Sequence, residues 1–178
     1  AVTGNTRRFG ASLDKIKQVV DVRKGEIMFG LNMLVHKGKT IFIGDTSVHE
    51  YPTSEQMAEI AISAARVVRI FGFDPKVAFV SHSTFGQPLT SRTKHIRDAV
   101  EILKKKKVDF EFDGDMQPDV ALNQEYEELY PFAKIVGKAN ILIMPGQHSA
   151  AISDKLMKTI GDSKVIGPLL IGLGLPIE

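Results

Sequence analysis

The chain has 178 residues, 43% hydrophobic and 25% charged, enough for one globular domain with a real core. A net charge of +2 argues against an electrostatic nucleic-acid binder, and the lack of cysteine excludes disulfides, thiolate metal sites and a cysteine nucleophile. No apolar run reaches the roughly 18–20 residues of a membrane span, so neither nucleic acid nor membrane is an expected partner, and a reducing, cytoplasmic location fits the composition.

Ser12 caps a predicted helix that runs to about Val20, with Leu13, Ile16, Val19 and Val20 on its apolar face. The strand-like segments Glu26 to Val35 and Thr40 to Gly44 flank the turn Lys37-Gly38-Lys39 and predict a β-hairpin. Asp45-Thr46-Ser47 end its second strand in polar side chains. Pro52 to Gln56 opens the clearest helix, with Thr53 and Gln56 as a capping box. Its predicted buried stripe is Met57, Ile60, Ala61, Ala64, Val67, Val68 and Phe71, and Gly72 stops it.

A short buried strand is predicted over Lys76 to Val80, then a helix over Ser91 to Lys106 with Ile96, Val100 and Leu103 inward. The basic run Lys104 to Lys107 closes that helix, where cations suit the negative end of the dipole. Next come a predicted strand (Val108 to Phe112), helix (Asp119 to Leu129) and strand (Asn140 to Met144). A helix from Ser149 to Ile160, stopped by Gly161, precedes a last strand from Lys164 to Leu173, broken by Gly167-Pro168. Strands alternating with helices predict a mostly parallel, layered α/β sheet, with an antiparallel component from the hairpin. No repeat or low-complexity linker interrupts it, so residues 1–178 read as one domain.

The loop Ser81-His82-Ser83-Thr84-Phe85-Gly86 follows the buried strand Lys76 to Val80. In open α/β sheets ligands bind outside the carboxyl ends of strands, and hydroxyls with free N–H groups suit an anion such as phosphate. The same hydroxyls also suit a turn and a helix cap, and both readings stand. Asp113, Asp115 and Asp119 have the chemistry of a hard-cation site, but acids at a strand end and a helix start are the simpler account. His82 and His148 each follow a predicted strand, where a structural hydrogen-bonding role is the more common one. Arg7 and Arg8 are either a bidentate grip on phosphate or carboxylate, or solvated surface arginines. No dinucleotide fingerprint, P-loop, zinc-protease motif or nucleophile elbow is present.

Pro52-Thr53-Ser54-Glu55-Gln56-Met57-Ala58-Glu59-Ile60-Ala61 resembles the P-T-x-E-x-x-A-[DE]-I-A stretch of phosphate acetyltransferases. Ser81 to Gly86 resembles their S-x-S-T-x-G loop, and Asp113 to Asp119 their D-G-E-x-Q-x-D segment. Lys138-Ala139-Asn140 and Gly167-Pro168 also match. Val2 to Arg7, His82 before Ser-Thr-Phe-Gly, Pro131-Phe132 and His148 to Ser153 are similar to one branch, the carboxy-terminal domain of large bacterial NADP-dependent malic enzymes.

The resemblance implies a two-subdomain layered sheet, the fold shared with isocitrate and isopropylmalate dehydrogenases, and a homodimer or higher homo-oligomer. It implies a regulatory and oligomerising domain that binds acetyl-CoA or an acyl phosphate through Ser81, Ser83, Thr84, Gly86, Arg7, Asp113 and Asn140, with no catalytic or metal-binding residue of its own. NADP and a divalent metal, magnesium or manganese, would belong to domains amino-terminal to Ala1, where malate is oxidatively decarboxylated to pyruvate. A working phosphate acetyltransferase and a purely structural dimerisation domain are the alternatives. Against the transferase, Arg7, Arg8 and Phe9 stand where active members carry a histidine–hydroxyl segment, and Asp14 where they carry an arginine. Their Ser-Arg pair falls beyond the stretch matching Leu175-Pro176.

Overall fold

The computed structural model describes residues 9–174. Arg7 and Arg8, named above, lie outside them, as does Leu175-Pro176. Helix α1 (Phe9–Val19) leads to the hairpin strands β1 (Phe29–His36) and β2 (Lys39–Gly44). Lys37 and Gly38 both have positive φ, +46° and +80°, and His36 pairs with Lys39. That is the two-residue turn whose twist matches a right-handed hairpin.

Helix α2 (Ser54–Ile70) starts as predicted. The Gln56 N–H donates to Thr53 Oγ1 (3.2 Å) and the Thr53 N–H donates to Gln56 Oε1 (2.8 Å). Strand β3 (Lys76–Val80) and helix α3 (Ser91–Lys106) also keep their predicted bounds. A second capping box, Thr90 with Thr93, opens α3. Strand β4 (Glu111–Met116), helix α4 (Pro118–Leu122), strand β5 (Ile141–Ile143), helix α5 (Gln147–Ile160) and strand β6 (Lys164–Ile171) complete the order.

The six strands form one sheet in the order β4-β3-β5-β2-β1-β6. Strands β4, β3, β5 and β2 are parallel, whereas β1 is antiparallel to both β2 and β6. Alternation along β3 sends Val77 and Phe79 to one face and Ala78 and Val80 to the other. The first face packs on α2 and α3 through Met57, Ile60, Val68, Ile96 and Leu103. The second packs on Val120, Ala121, Ile135 and Ala150. The α/β class and layered sheet are as expected. Among the described residues no helix is long and apolar enough to cross a membrane.

Several expectations need correction. Strand β4 begins at Glu111 rather than Val108 and continues to Met116, so Asp113-Gly114-Asp115 lies inside the strand, not after it. Gly114 makes this possible, since a Cβ there would stand 2.8 Å from Phe79 O and Phe79 Cβ. The helix expected over Asp119 to Leu129 stops at Leu122. Asn123 then accepts the Glu125 N–H and begins a 3-10 turn, Gln124–Tyr126. Phe71 and Val19 are exposed rather than buried. Each sits at a helix end, past the turn that its sheet-facing stripe covers. The break expected in β6 at Gly167-Pro168 is a shift of its register on β1 between Leu31 and Met33.

Candidate functional site

The four parallel strands end on one edge, at Gly44, Val80, Met116 and Ile143. The loop after β2 is organised by Asp45, which is buried. Its Oδ1 accepts the N–H groups of Gly30 (2.8 Å), Ser47 (2.8 Å) and Val48 (3.1 Å), and Oδ2 accepts that of His49 (2.8 Å). His49 Nδ1 also lies 2.7 Å from Oδ2. One side chain thus satisfies four otherwise open backbone donors.

The loop after β3 is braced from β4. Ser83 is fully buried and donates its hydroxyl to Asp115 Oδ2, while the Gly86 N–H donates to Asp115 Oδ1 (3.0 Å). Ser81 Oγ accepts the Ser83 N–H (3.2 Å) and lies 3.2 Å from Ser83 Oγ. Thr84 Oγ1 accepts the Gln117 N–H (3.2 Å), and Gln117 Nε2 donates to the His82 carbonyl (2.7 Å). The hydroxyls of Ser81 and Ser83 therefore face inward, into the turn. Thr84 is half-buried, and among the described residues no acceptor takes its hydroxyl hydrogen.

Asp113 and Asn140 do not join them at the edge. Asp113 pairs across from Ala78, within the strand, and accepts the N–H groups of Gly114 (2.9 Å) and Lys134 (2.9 Å). Asn140 stands at the opposite end of the sheet, level with Lys76. It accepts the Lys76 N–H (2.8 Å) and donates to the Asp74 carbonyl (2.7 Å), so both ends of its amide are used. The predicted set therefore divides: Ser81, Ser83, Thr84 and Gly86 share one loop, Asp113 lies beside it, and Asn140 is remote. Among the described residues no three His, Asp or Glu side chains are placed to hold a metal ion.

Beside the loop, α3 and β4 border a groove of about 420 Å³. Phe85, Phe112 and Phe132 give it aromatic walls, and Arg97, Lys104 and Lys134 give it cations. Phe85 packs edge-on against Phe132, with ring centroids 4.9 Å apart. Lys104 donates to Glu101 (2.7 Å) and holds that carboxyl below its ordinary value. Arg97 makes no hydrogen bond among the described residues; its Nε lies 4.0 Å from Asp115 Oδ1. The guanidinium lies over Gly86, where an added Cβ would meet Arg97 Nη1 at 2.5 Å and push it aside. Sequence reading missed Arg97, because nothing on α3 marks one arginine among its many cations.

Residues 1–178 match the family described as phosphate acetyl/butaryl transferase. The chain belongs to that family. It is 44% identical over 177 residues to the NADP-dependent malic enzyme of Rhizobium meliloti, covering 99% of this chain and 23% of that protein. It is 30% identical over 163 residues to the phosphate acetyltransferase of Bacillus subtilis, covering 90% of this chain and 50% of that one. Among solved structures, a phosphotransacetylase from Streptococcus pyogenes superposes with a TM-score of 0.91 at 28% identity, over 99% of this chain and 55% of that one. The chain thus spans about a quarter of the malic enzyme and about half of the transferases. The matched quarter of the malic enzyme is a phosphate acetyltransferase-like domain.

Proposed function

We propose that this chain is the regulatory and oligomerising domain of an NADP-dependent malic enzyme, and that it binds acetyl-CoA or an acyl phosphate as an effector. The observation that carries the reading is Arg97, a guanidinium without a hydrogen-bonding partner among the described residues, lining an aromatic groove beside the Ser81–Gly86 loop. Guanidinium and ammonium groups suit phosphates, and phenyl rings suit an adenine ring. Arg97, Lys104 and Lys134 would hold the phosphates, and Thr84 would donate its free hydroxyl hydrogen from the loop. Arg7, which the sequence reading assigns to the effector, lies outside the described residues. Malate oxidation with NADP and magnesium or manganese would belong to other domains, and a coupling of roughly 1–3 kcal/mol between the sites would suffice for regulation.

Calorimetric titration of acetyl-CoA into the protein tests this reading. Arg97→Gln should weaken binding by about tenfold or more, and unchanged affinity would remove the groove from the site. The family match favours a second reading, a working phosphate acetyltransferase. Acetyl-CoA formation from acetyl phosphate and CoA at about 1–1,000 per second would establish it.

Self-association belongs to the same proposal. Ile152, Leu156 and Ile160 recur every four residues along α5 and are all exposed, and Ile166 of the edge strand β6 is exposed as well. An apolar stripe of that spacing is a helix-packing ridge and suits a second copy of this chain.

A further inference from the structure

On the other side of the sheet, α5 crosses β1 and β6 and leaves a cleft of about 260 Å³. Its floor is polar. Asn32 on β1 and Asp154 on α5 are 6% and 7% exposed, and Asn32 Nδ2 donates to Asp154 Oδ1 (3.1 Å). Thr46 Oγ1 donates to Asn32 Oδ1 (3.3 Å) and lies 3.2 Å from Ser47 Oγ. Gly167 is what lets β6 close over Asn32, because a Cβ there would stand 2.8 Å from Asn32 Oδ1. The second oxygen of Asp154, Oδ2, accepts no hydrogen bond from the described residues. Oδ2 is not among the buried polar atoms left without a partner, so it opens to solvent at the cleft that Asp154 lines.

Lys155 and Lys158 line the same cleft, and neither lies within 4.0 Å of a carboxylate oxygen among the described residues. The site therefore offers an acceptor at its floor and two free ammonium groups at its rim. A simple anion would face the Asp154 carboxylate, and a simple cation would face the lysines. A molecule carrying both a hydrogen-bond donor and a carboxylate satisfies both ends. The volume lies just below the range of about 300–1,000 Å³ typical of ligand pockets, so the occupant is small.

We propose that this cleft is a ligand site separate from the loop edge, and that it takes a small hydroxy- or amino-carboxylate. The hydroxyl or ammonium donates to Asp154 Oδ2, and the carboxylate pairs with Lys155 and Lys158. This inference does not depend on acetyl-CoA binding.

The test uses three probes with one carbon skeleton: L-malate, L-aspartate, and succinate, which has neither donor. Each is titrated at millimolar concentrations into the protein by calorimetry, with the thermal midpoint followed in parallel. Malate or aspartate should bind at least about tenfold more tightly than succinate. Asp154→Asn should abolish that preference. Asp154 is buried, so a variant that fails to fold is replaced by the surface change Lys158→Gln. That change should weaken whichever donor-bearing probe binds by about tenfold and leave folding intact. Failure of all three probes to bind the wild-type protein overturns the proposal. So does equal affinity for succinate and the donor-bearing probes, or a Lys158→Gln protein that binds as before. Arg97→Gln should leave these affinities unchanged, which separates the cleft from the effector groove.

Discussion

Ser83 donates its hydroxyl to the carboxylate of Asp115, thirty-two residues further along the chain, and neither side chain is exposed to solvent. The bond ties the loop after β3 to the end of β4. Gly86 donates to the other oxygen of the same carboxylate (3.0 Å), so one buried acid fixes both ends of the loop. Ser83→Ala removes a donor from a buried carboxylate and should cost about 1.5–3 kcal/mol. Asp115→Ala leaves two buried donors open and should cost more. Urea unfolding followed by circular dichroism measures both. A Ser83→Ala protein as stable as the parent would show that the bond contributes nothing.

Asp45 holds its loop in the same way but is more heavily used. An amide in its place has one acceptor oxygen, and its NH2 would face at least one backbone donor. Asp45→Asn should therefore destabilise by at least about 2 kcal/mol, the penalty for leaving a buried donor unmet. Thermal unfolding of the variant checks this. A midpoint within experimental error of the parent would contradict the account.

These two carboxylates show where the sequence was legible and where it was not. The capping box of Thr53 and Gln56, the Lys37-Gly38 turn and the bounds of β3 and α3 follow from local chemistry, and local chemistry is what a sequence displays. The likeness of Ser81–Gly86 to a family loop put the candidate site at the edge where the parallel strands end, and the loop lies there. It did not show that Ser81 and Ser83 turn inward, because their partner Asp115 is brought alongside only by the pairing of β4 on β3. Asn140 failed for a related reason. A strand end looks the same in sequence at either edge, and only the parallel register of Lys76 beside Asn140 reveals which one it is. The Asn32–Asp154 pair spans 122 residues and carries no local signal at all.

The exposed stripe of α5 predicts its own test. Leu156→Glu places a charge at the centre of the Ile152, Leu156 and Ile160 ridge without touching the core, since Leu156 is exposed. Sedimentation should show a shift from dimer to monomer with unfolding of the single chain little changed. A Leu156→Glu protein that still sediments as a dimer would place the interface elsewhere.

Thr84 separates the two roles of the Ser81–Gly86 loop. Its oxygen accepts the Gln117 N–H (3.2 Å), which leaves its own hydrogen for a partner outside the loop. Valine keeps the shape of threonine and removes both functions. Gln117 is exposed, so water can replace the lost acceptor, and stability should fall by only about 0.5–1.5 kcal/mol. If Thr84 donates to the effector, calorimetry should show acetyl-CoA binding weakened by about 1–3 kcal/mol as well. Gly86→Ala makes the comparison sharper. Gly86 has φ +83°, and its added Cβ would displace the Arg97 guanidinium at 2.5 Å. That variant should lose both stability and acetyl-CoA affinity, because strain and a moved cation act together. Arg97→Gln should lose affinity with a smaller loss of stability, since Arg97 makes no hydrogen bond within the described fold but stands 4.0 Å from the buried Asp115 carboxylate. Thr84→Val and Gly86→Ala proteins that lose stability but bind acetyl-CoA as the parent does would leave the loop a structural brace and nothing more.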